Sequence, residues 1–321
     1  MKPDGSTPLY LLPFDHRHSY IKGMFHFEAP LSPTQHGRVA DSKQLIYEGF
    51  KEAVGADAPK AHAGILVDEE FGAAILRDAS ANGFVTAASV EKSGLDEFEF
   101  EYGDEFARHI DTFDPTYAKV LVRYNPHDDE ALNARQRERL KKLSGYCTDT
   151  GRGFMFELLV PATAAQLDSV RGDKKAYDLN LRCGLMLEAI AQLRDAGIEP
   201  DIWKIEGLDK REDCERVVTQ AQRGSRSTVN CIVLGRGADL AQVEHWLATA
   251  ASVPGFIGFA VGRTTFWDAI ADFEAQKATR HEAVVRIAGR YRQWVAIFER
   301  ERLASNSACG ASAINPVGAK E

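Results

Sequence analysis

Residues 153–208 read GFMFELLVPATAAQLDSVRGDKKAYDLNLRCGLMLEAIAQLRDAGIEPDIWKIEGL. The stretch opens on GFMFELLVP and closes on PDIWKIEGL, two short runs that are apolar at consecutive positions rather than alternate ones. Runs of that length and pattern predict strands buried on both faces. Between them, Tyr177–Ala196 predicts a long helix, with Gly197 placed to stop it in a left-handed turn. A strand, a helix and a second strand of this kind form the βαβ unit of a parallel sheet.

The same unit recurs on both sides. Toward the N-terminus, strands are expected at Leu9–Arg17 (LYLLPFDHR), His62–Phe71, Gly83–Glu91 and Tyr117–Asn125 (YAKVLVRYN). Helices are expected over Lys43–Val54, Gly72–Asn82, Asp104–Asp111 and Glu130–Tyr146. Toward the C-terminus come strands at Asn230–Gly237 and Gly255–Arg263, with helices over Glu212–Gln222, Ala241–Ala251, from Phe266, and over Arg280–Ala304. Eight buried strands, each followed by a helix, predict a (β/α)8 TIM barrel with an extra C-terminal helix. An open doubly wound sheet is the alternative. No Pro-, Gly- and Ser-rich linker interrupts the pattern, so residues 1–304 are expected to form one barrel. Residues 305–321, small and polar, are expected to be a disordered tail.

Composition narrows the class. Of 321 residues, 39 are Lys or Arg and 47 Asp or Glu, a net charge of −8, and 44% are hydrophobic. That balance excludes disordered and fibrous chains and argues against nucleic acid as the main partner. No apolar run approaches the roughly 20 residues that span a bilayer, so no membrane partner is expected. Met1–Thr7 is polar and lacks a signal sequence, which points to the cytoplasm. The five cysteines are scattered without a C-x-x-C pair, the pattern of reduced thiols. Barrels of this size commonly pair, and a homo-oligomer stays open.

Candidate chemistry lies where charges interrupt the apolar runs, because a lone buried charge costs several kcal/mol unless it is paired. Asp15 ends the first strand, Lys119 lies in the fourth, Glu157 in the fifth, and Lys204 in the sixth, with Glu206 two residues on. A barrel gathers its active site at the C-terminal ends of its strands, so these residues should converge. Lys204, in apolar IWKIEG, is expected to have a lowered pKa from desolvation and from repulsion by Lys119, and so to serve as a nucleophilic amine. Glu157 is placed to move protons. A structural ion-pair cluster is the competing reading.

Two further groups follow. The last two strands end in Gly235-Arg236-Gly237 and Gly262-Arg263, a pattern suited to holding phosphate in the loops after strands seven and eight. Gly151-Arg152-Gly153 precedes a strand and lies at the wrong end for that role. Asp15, His16 and His18 have the residue types of a divalent-metal site. Alternatively, Arg17 and the two imidazoles meet an anionic end of a substrate.

The strings PFDHRHSYIKGMF and FAVGRTTFWD resemble the aldolase domain at the C-terminus of bifunctional kinase–aldolase proteins of myo-inositol catabolism. The resemblance covers about Leu9 to Leu303. The strand layout more distantly resembles class I aldolases of the tagatose-bisphosphate type. That likeness implies a Schiff-base lysine at Lys204 (WKIEG), a glutamate at Glu157, a lysine at Lys119, an aspartate at Asp15 and a phosphate-binding arginine at Arg263. His26 and Ala269 depart from the pattern, which has Gly and Pro there. The implied reaction is cleavage of 2-deoxy-5-keto-gluconate 6-phosphate to dihydroxyacetone phosphate and malonate semialdehyde, with no metal or organic cofactor. Arg236, Gly235, Gly237, Arg263 and Gly262 would hold the phosphate, and Arg17 would meet the carboxylate. Competing functions are an aldolase acting on another ketose phosphate or a sulfosugar phosphate, a metal-dependent barrel lyase, and a non-catalytic sugar-phosphate-binding protein.

Overall fold

A computed structural model describes residues 7–56, 58–224 and 228–312. Eight parallel strands close into a barrel in sequence order: β1 (Leu9–Pro13), β2 (Ala63–Val67), β3 (Val85–Ser89), β4 (Tyr117–Arg123), β5 (Gly153–Leu159), β6 (Ile202–Glu206), β7 (Asn230–Leu234) and β8 (Phe256–Ala260). The protein is a (β/α)8 TIM barrel. The helices are α1 (His18–Tyr20), α2 (Pro33–Ala56), α3 (Glu69–Ala81), α4 (Phe106–Phe113), α5 (Glu130–Thr150), α6 (Ala164–Ser169), α7 (Lys174–Asn180), α8 (Arg182–Asp195), α9 (Arg211–Ala221), α10 (Leu240–Ala251), α11 (Arg263–Glu274) and α12 (Arg280–Ser312). Among the described residues, no helix is long and apolar enough to cross a membrane.

Side-chain alternation along the strands builds two layers. Leu9, Leu11, Leu66, Ala87, Tyr117, Met155, Ile202 and Ile232 pack together inside the barrel. Tyr10, Leu12, Val120, Phe156, Trp203, Val233 and Phe259 face the helices and join the larger outer core. The inner apolar layer stops short of the strand ends, and the charged residues begin there.

The barrel closes where Leu9, Tyr10 and Leu11 of β1 pair with Gly258, Phe259 and Ala260 of β8. A Cβ at position 258 would lie 1.7 Å from the Leu9 carbonyl oxygen, so the approach of the two strands requires glycine. α12 packs along α2, α10 and α11 and clasps this junction. From α12, the Tyr291 hydroxyl donates to the Tyr10 carbonyl (2.7 Å), and the Trp294 indole donates to Thr265 Oγ1 (3.0 Å). Arg280 meets both Glu48 oxygens at 2.8 and 2.9 Å.

Several boundaries differ from expectation, among them the start of α2, which lies at Pro33 instead of Lys43. Most strands end two to four residues early, because the residues beyond them turn into the barrel mouth instead of continuing the ladder. The helix expected over Tyr177–Ala196 is divided at Leu181 into α7 and α8. At the division, fully buried Arg182 donates to the Gly207 carbonyl (3.0 Å) just past β6. The tail expected from Ser305 is instead helical through Ser312, since an already docked helix propagates cheaply through small residues. The remainder of that tail, 313–321, lies outside the described residues.

Candidate active site

Register places Glu157 of β5 directly beside Lys204 of β6, and alternation turns both inward. Lys204 Nζ stands 2.8 Å from Glu157 Oε2. Lys119 lies one inward step lower on β4, level with Met155, and its long stem carries the ammonium up to the same carboxylate. Lys119 Nζ is 2.9 Å from Glu157 Oε2, 2.7 Å from Asp15 Oδ2 and 2.7 Å from Glu91 Oε1. Lys119, Lys204, Asp15 and Glu157 are all buried. The four residues expected to converge therefore do, and Glu91, just past β3, joins them. The expected bare repulsion between the two lysines is not the arrangement found, because one oxygen of Glu157 lies between them.

The electrostatics follow from this crowding. Burial opposes the charge on Lys119, but Asp15, Glu157 and Glu91 outweigh it and hold its pKa well above the ordinary value. Burial likewise opposes ionisation of Asp15 and Glu157, and the attraction of Lys119 and then Lys204 holds both carboxyls below their ordinary range. Glu91 goes the other way. Burial and the neighbouring Asp15 raise its pKa despite Lys119, and its buried Oε2 has no hydrogen-bond partner among the described residues. The cluster thus sets two carboxyls held below their ordinary range beside one pushed above it.

A cavity of about 290 Å³ opens above the cluster, with Asp15, Glu91, Lys119, Leu121, Arg123 and Glu157 in its wall. A hairpin over residues 90–101 borders it: Lys92 N–H donates to the Glu99 carbonyl (2.8 Å), and Glu101 N–H donates to the Val90 carbonyl (3.0 Å). Glu97 ties the hairpin to α5 through Arg135 (2.7 Å) and Arg139. Arg17, expected to meet a substrate anion, is already engaged. It is buried, pairs with Glu101 at 2.6 Å and donates to the Glu91 carbonyl. His16 is neutral at physiological pH, its pKa lowered to about 4 by burial and by the charges of Arg263 and Lys204. Among the described residues, no group of three or more His, Cys, Asp or Glu side chains is gathered to hold a metal ion.

The loops after β7 and β8 meet across a second cavity of about 420 Å³, walled by Gly237, Arg263, Thr264 and Trp267. Gly237 has φ +72°, and a Cβ there would come within 2.8 Å of the Arg263 guanidinium. A Cβ on Gly262 would lie 2.3 Å from the Pro13 carbonyl oxygen, and one on Gly235 3.1 Å from Val261. Gly262 lets the backbone of β1 approach, while Gly237 and Gly235 leave room for the side chains of Arg263 and Val261. Arg263 donates to the Arg236 carbonyl (3.2 Å) and pairs with no carboxylate among the described residues. Arg236 is placed differently from its expected role. Its guanidinium meets Glu206 (3.0 Å) and Asp178 (2.8 Å), and these carboxylates overcome burial to raise its pKa. Arg182 completes this group, 3.1 Å from Asp178 and 3.5 Å from Glu206. Of the two, Arg263 is the one without a carboxylate partner among the described residues.

Sequence reasoning missed Glu91, Asp178 and Arg182. Glu91 closes an apolar run, where a solvent-facing glutamate reads the same way, so the only available signal was its place just beyond a strand. Asp178 and Arg182 lie in a helical stretch where an i, i+4 ion pair is ordinary.

Comparison with known proteins bears on fold and family. The chain resembles the crystal structure of Cgl0159 from Corynebacterium glutamicum, with 17% identity and a TM-score of 0.55 over 89% of this chain and 86% of that one. It resembles fructose-bisphosphate aldolase from Plasmodium falciparum, with 13% identity and a TM-score of 0.64 over 94% and 91%. It also resembles the YdjI aldolase from Escherichia coli K12, with 12% identity and a TM-score of 0.51 over 79% and 87%. Identities this low establish a shared barrel fold. A search of curated proteins finds no match. The family model described as "Uncharacterized protein conserved in bacteria (DUF2090)" matches residues 2–302, and the chain belongs to that family.

Proposed function

We propose that the protein is a class I aldolase, working through a Schiff base on Lys204, that cleaves 2-deoxy-5-keto-gluconate 6-phosphate to dihydroxyacetone phosphate and malonate semialdehyde. The observation that carries the reading is Glu157 Oε2, 2.8 Å from Lys204 Nζ and 2.9 Å from Lys119 Nζ, at the strand-end mouth of a barrel. A lysine touching a proton acceptor inside a water-poor site is the arrangement that imine formation needs. The barrel is shared with two proteins named as aldolases. The substrate choice rests on the resemblance of PFDHRHSYIKGMF and FAVGRTTFWD to the inositol-catabolic aldolase domain.

The steps follow from the positions. Lys204 passes a proton to Glu157, and its amine adds to the C5 ketone. Water leaves, and an iminium remains. A carboxylate, Glu157 first and Asp15 second, takes the proton of the C3 hydroxyl. The C3–C4 bond breaks, its electron pair enters the iminium to give an enamine, and C3 departs as the aldehyde of malonate semialdehyde. Protonation of the enamine at C4 and hydrolysis by one water release dihydroxyacetone phosphate and regenerate the lysine. Lys119 steadies the developing oxyanion with a charge that three carboxylates keep in place. Arg263 and the backbone of Gly237 and Gly262 receive the phosphate.

Borohydride trapping tests this. After incubation with dihydroxyacetone phosphate and reduction, the intact chain should gain one reduced adduct, mapped by peptide mass to Lys204. Glu157→Gln should still form that adduct, but more slowly, and lose on the order of 10²- to 10³-fold in turnover, the range for a lost general base. An absent adduct with turnover abolished by chelator overturns the lysine mechanism. Wild-type turnover in Glu157→Gln removes Glu157 from proton transfer.

A further inference from the structure

Arg263, after β8 and without a carboxylate partner among the described residues, suits one end of a substrate, and the wall of the first cavity offers a cation for the other. We propose that Arg123, at the mouth end of β4, receives an anionic group at the end of the substrate remote from the phosphate. This inference rests on the Schiff-base aldolase reading and adds the residue that selects the second product.

Alternation along β4 turns Tyr117, Lys119, Leu121 and Arg123 to the barrel interior in ascending order. Tyr117 belongs to the inner apolar layer, Lys119 to the ion cluster, and Leu121 and Arg123 to the cavity wall. In a closed barrel of eight strands in sequence order, β4 and β8 stand opposite one another. Arg123 and Arg263 therefore face across the mouth, with the ends of β5 and β6, Glu157 and Lys204, between them on one side. A chain with a phosphate at one end, an anion at the other and a ketone between fits that sequence of groups.

Partner accounting singles out Arg123. Arg17 lines the same cavity but is itself buried, with its two terminal nitrogens on Glu101 and the Glu91 carbonyl, so that only its buried Nε lacks a partner. Arg123 spends one Nη1 hydrogen on the Leu95 carbonyl at 3.0 Å. The carboxylate it approaches is Asp96, at 3.8 Å from Nε and with a side chain 96% exposed to water. A guanidinium has five donors in a planar fork, so most of this one is free for a carboxylate. The other acidic side chains of the wall already have cationic partners: Glu97 has Arg135 and Arg139, and Asp15, Glu91 and Glu157 share Lys119 and Lys204. Lys92, exposed to water, adds a second positive charge to the lining of the same cavity.

The test runs the reaction in the direction of synthesis. Dihydroxyacetone phosphate is offered with malonate semialdehyde or with propionaldehyde, two three-carbon aldehydes that differ in the terminal carboxylate. The wild type should prefer malonate semialdehyde. Arg123→Gln should lower the ratio of kcat/KM values, malonate semialdehyde over propionaldehyde, at least tenfold, and Arg123→Lys should restore part of it. A variant that slows both aldehydes equally would show that Arg123 only latches the 90–101 hairpin, and the proposal would fall. An unchanged ratio, or a wild type that takes propionaldehyde as readily, overturns it as well. Borohydride trapping at Lys204 in the same preparations separates the two ideas. An adduct with an unselective Arg123 variant sinks only the anion site, whereas no adduct in the wild type sinks both.

Discussion

Glu157 shows how much one atom can settle. Its Oε2 serves two lysines on neighbouring strands, while Asp15 and Glu91 complete the shell of Lys119. Asp15, Lys119, Glu157 and Lys204 were legible because each breaks an apolar run, and burial makes an unpaired charge too costly to be accidental. Their partners were not legible, because pairing depends on register and stem length. That limit explains why Arg17 and Arg236 looked free in sequence and turn out to be engaged by Glu101, Glu206 and Asp178. His16 gives a measurable consequence at this scale. Its pKa is about 4 when folded and near its ordinary 6.5 when unfolded. The unfolded chain therefore binds the proton first as pH falls, and stability should decline from about pH 6.5 toward 4. His16→Gln should flatten that part of a plot of Tm against pH. If the slope there is the same in both proteins, His16 is not its source.

Among the elements, the strands were the most readable and their ends the least. Every expected strand is present, since consecutive apolar residues bounded by turns have few other uses in a chain this long. The overrun at strand ends has a physical cause: a residue such as Asp15 continues the inward alternation while its backbone has left the ladder. The division of α7 from α8 was invisible for a similar reason, because nothing local to Leu181 forbids helix and the break serves Arg182 at a distance. Gly258 is the element-scale position with least tolerance. Gly258→Ala places a methyl against the Leu9 carbonyl and should destabilise the barrel by about 3 kcal/mol or more. Urea unfolding would read this directly, and a midpoint within error of the wild type would mean that β1 and β8 yield more easily than their register implies.

The whole molecule depends on a helix outside the eightfold repeat. α12 covers the β1–β8 junction with Tyr291, Trp294 and Phe298, all fully buried. A chain ending at Thr279 should lose soluble expression, because Phe50 and Phe259 would be left facing water. A soluble product with a cooperative melt would show that the clasp is dispensable. The barrel itself was legible from the count of strand–helix units, but the importance of the extra helix was not, since its amphipathic pattern does not name the surface it covers.

The β1–β8 junction also has a consequence in time. Leu9 is made early and waits for Gly258, and the pair is locked by residues of α12 that leave the ribosome later still. Until then the nascent chain carries a sheet with two open edges, the state in which strands pair with strangers. Synthesis speed and chaperone supply should therefore govern the yield of this protein more than the stability of the finished barrel does.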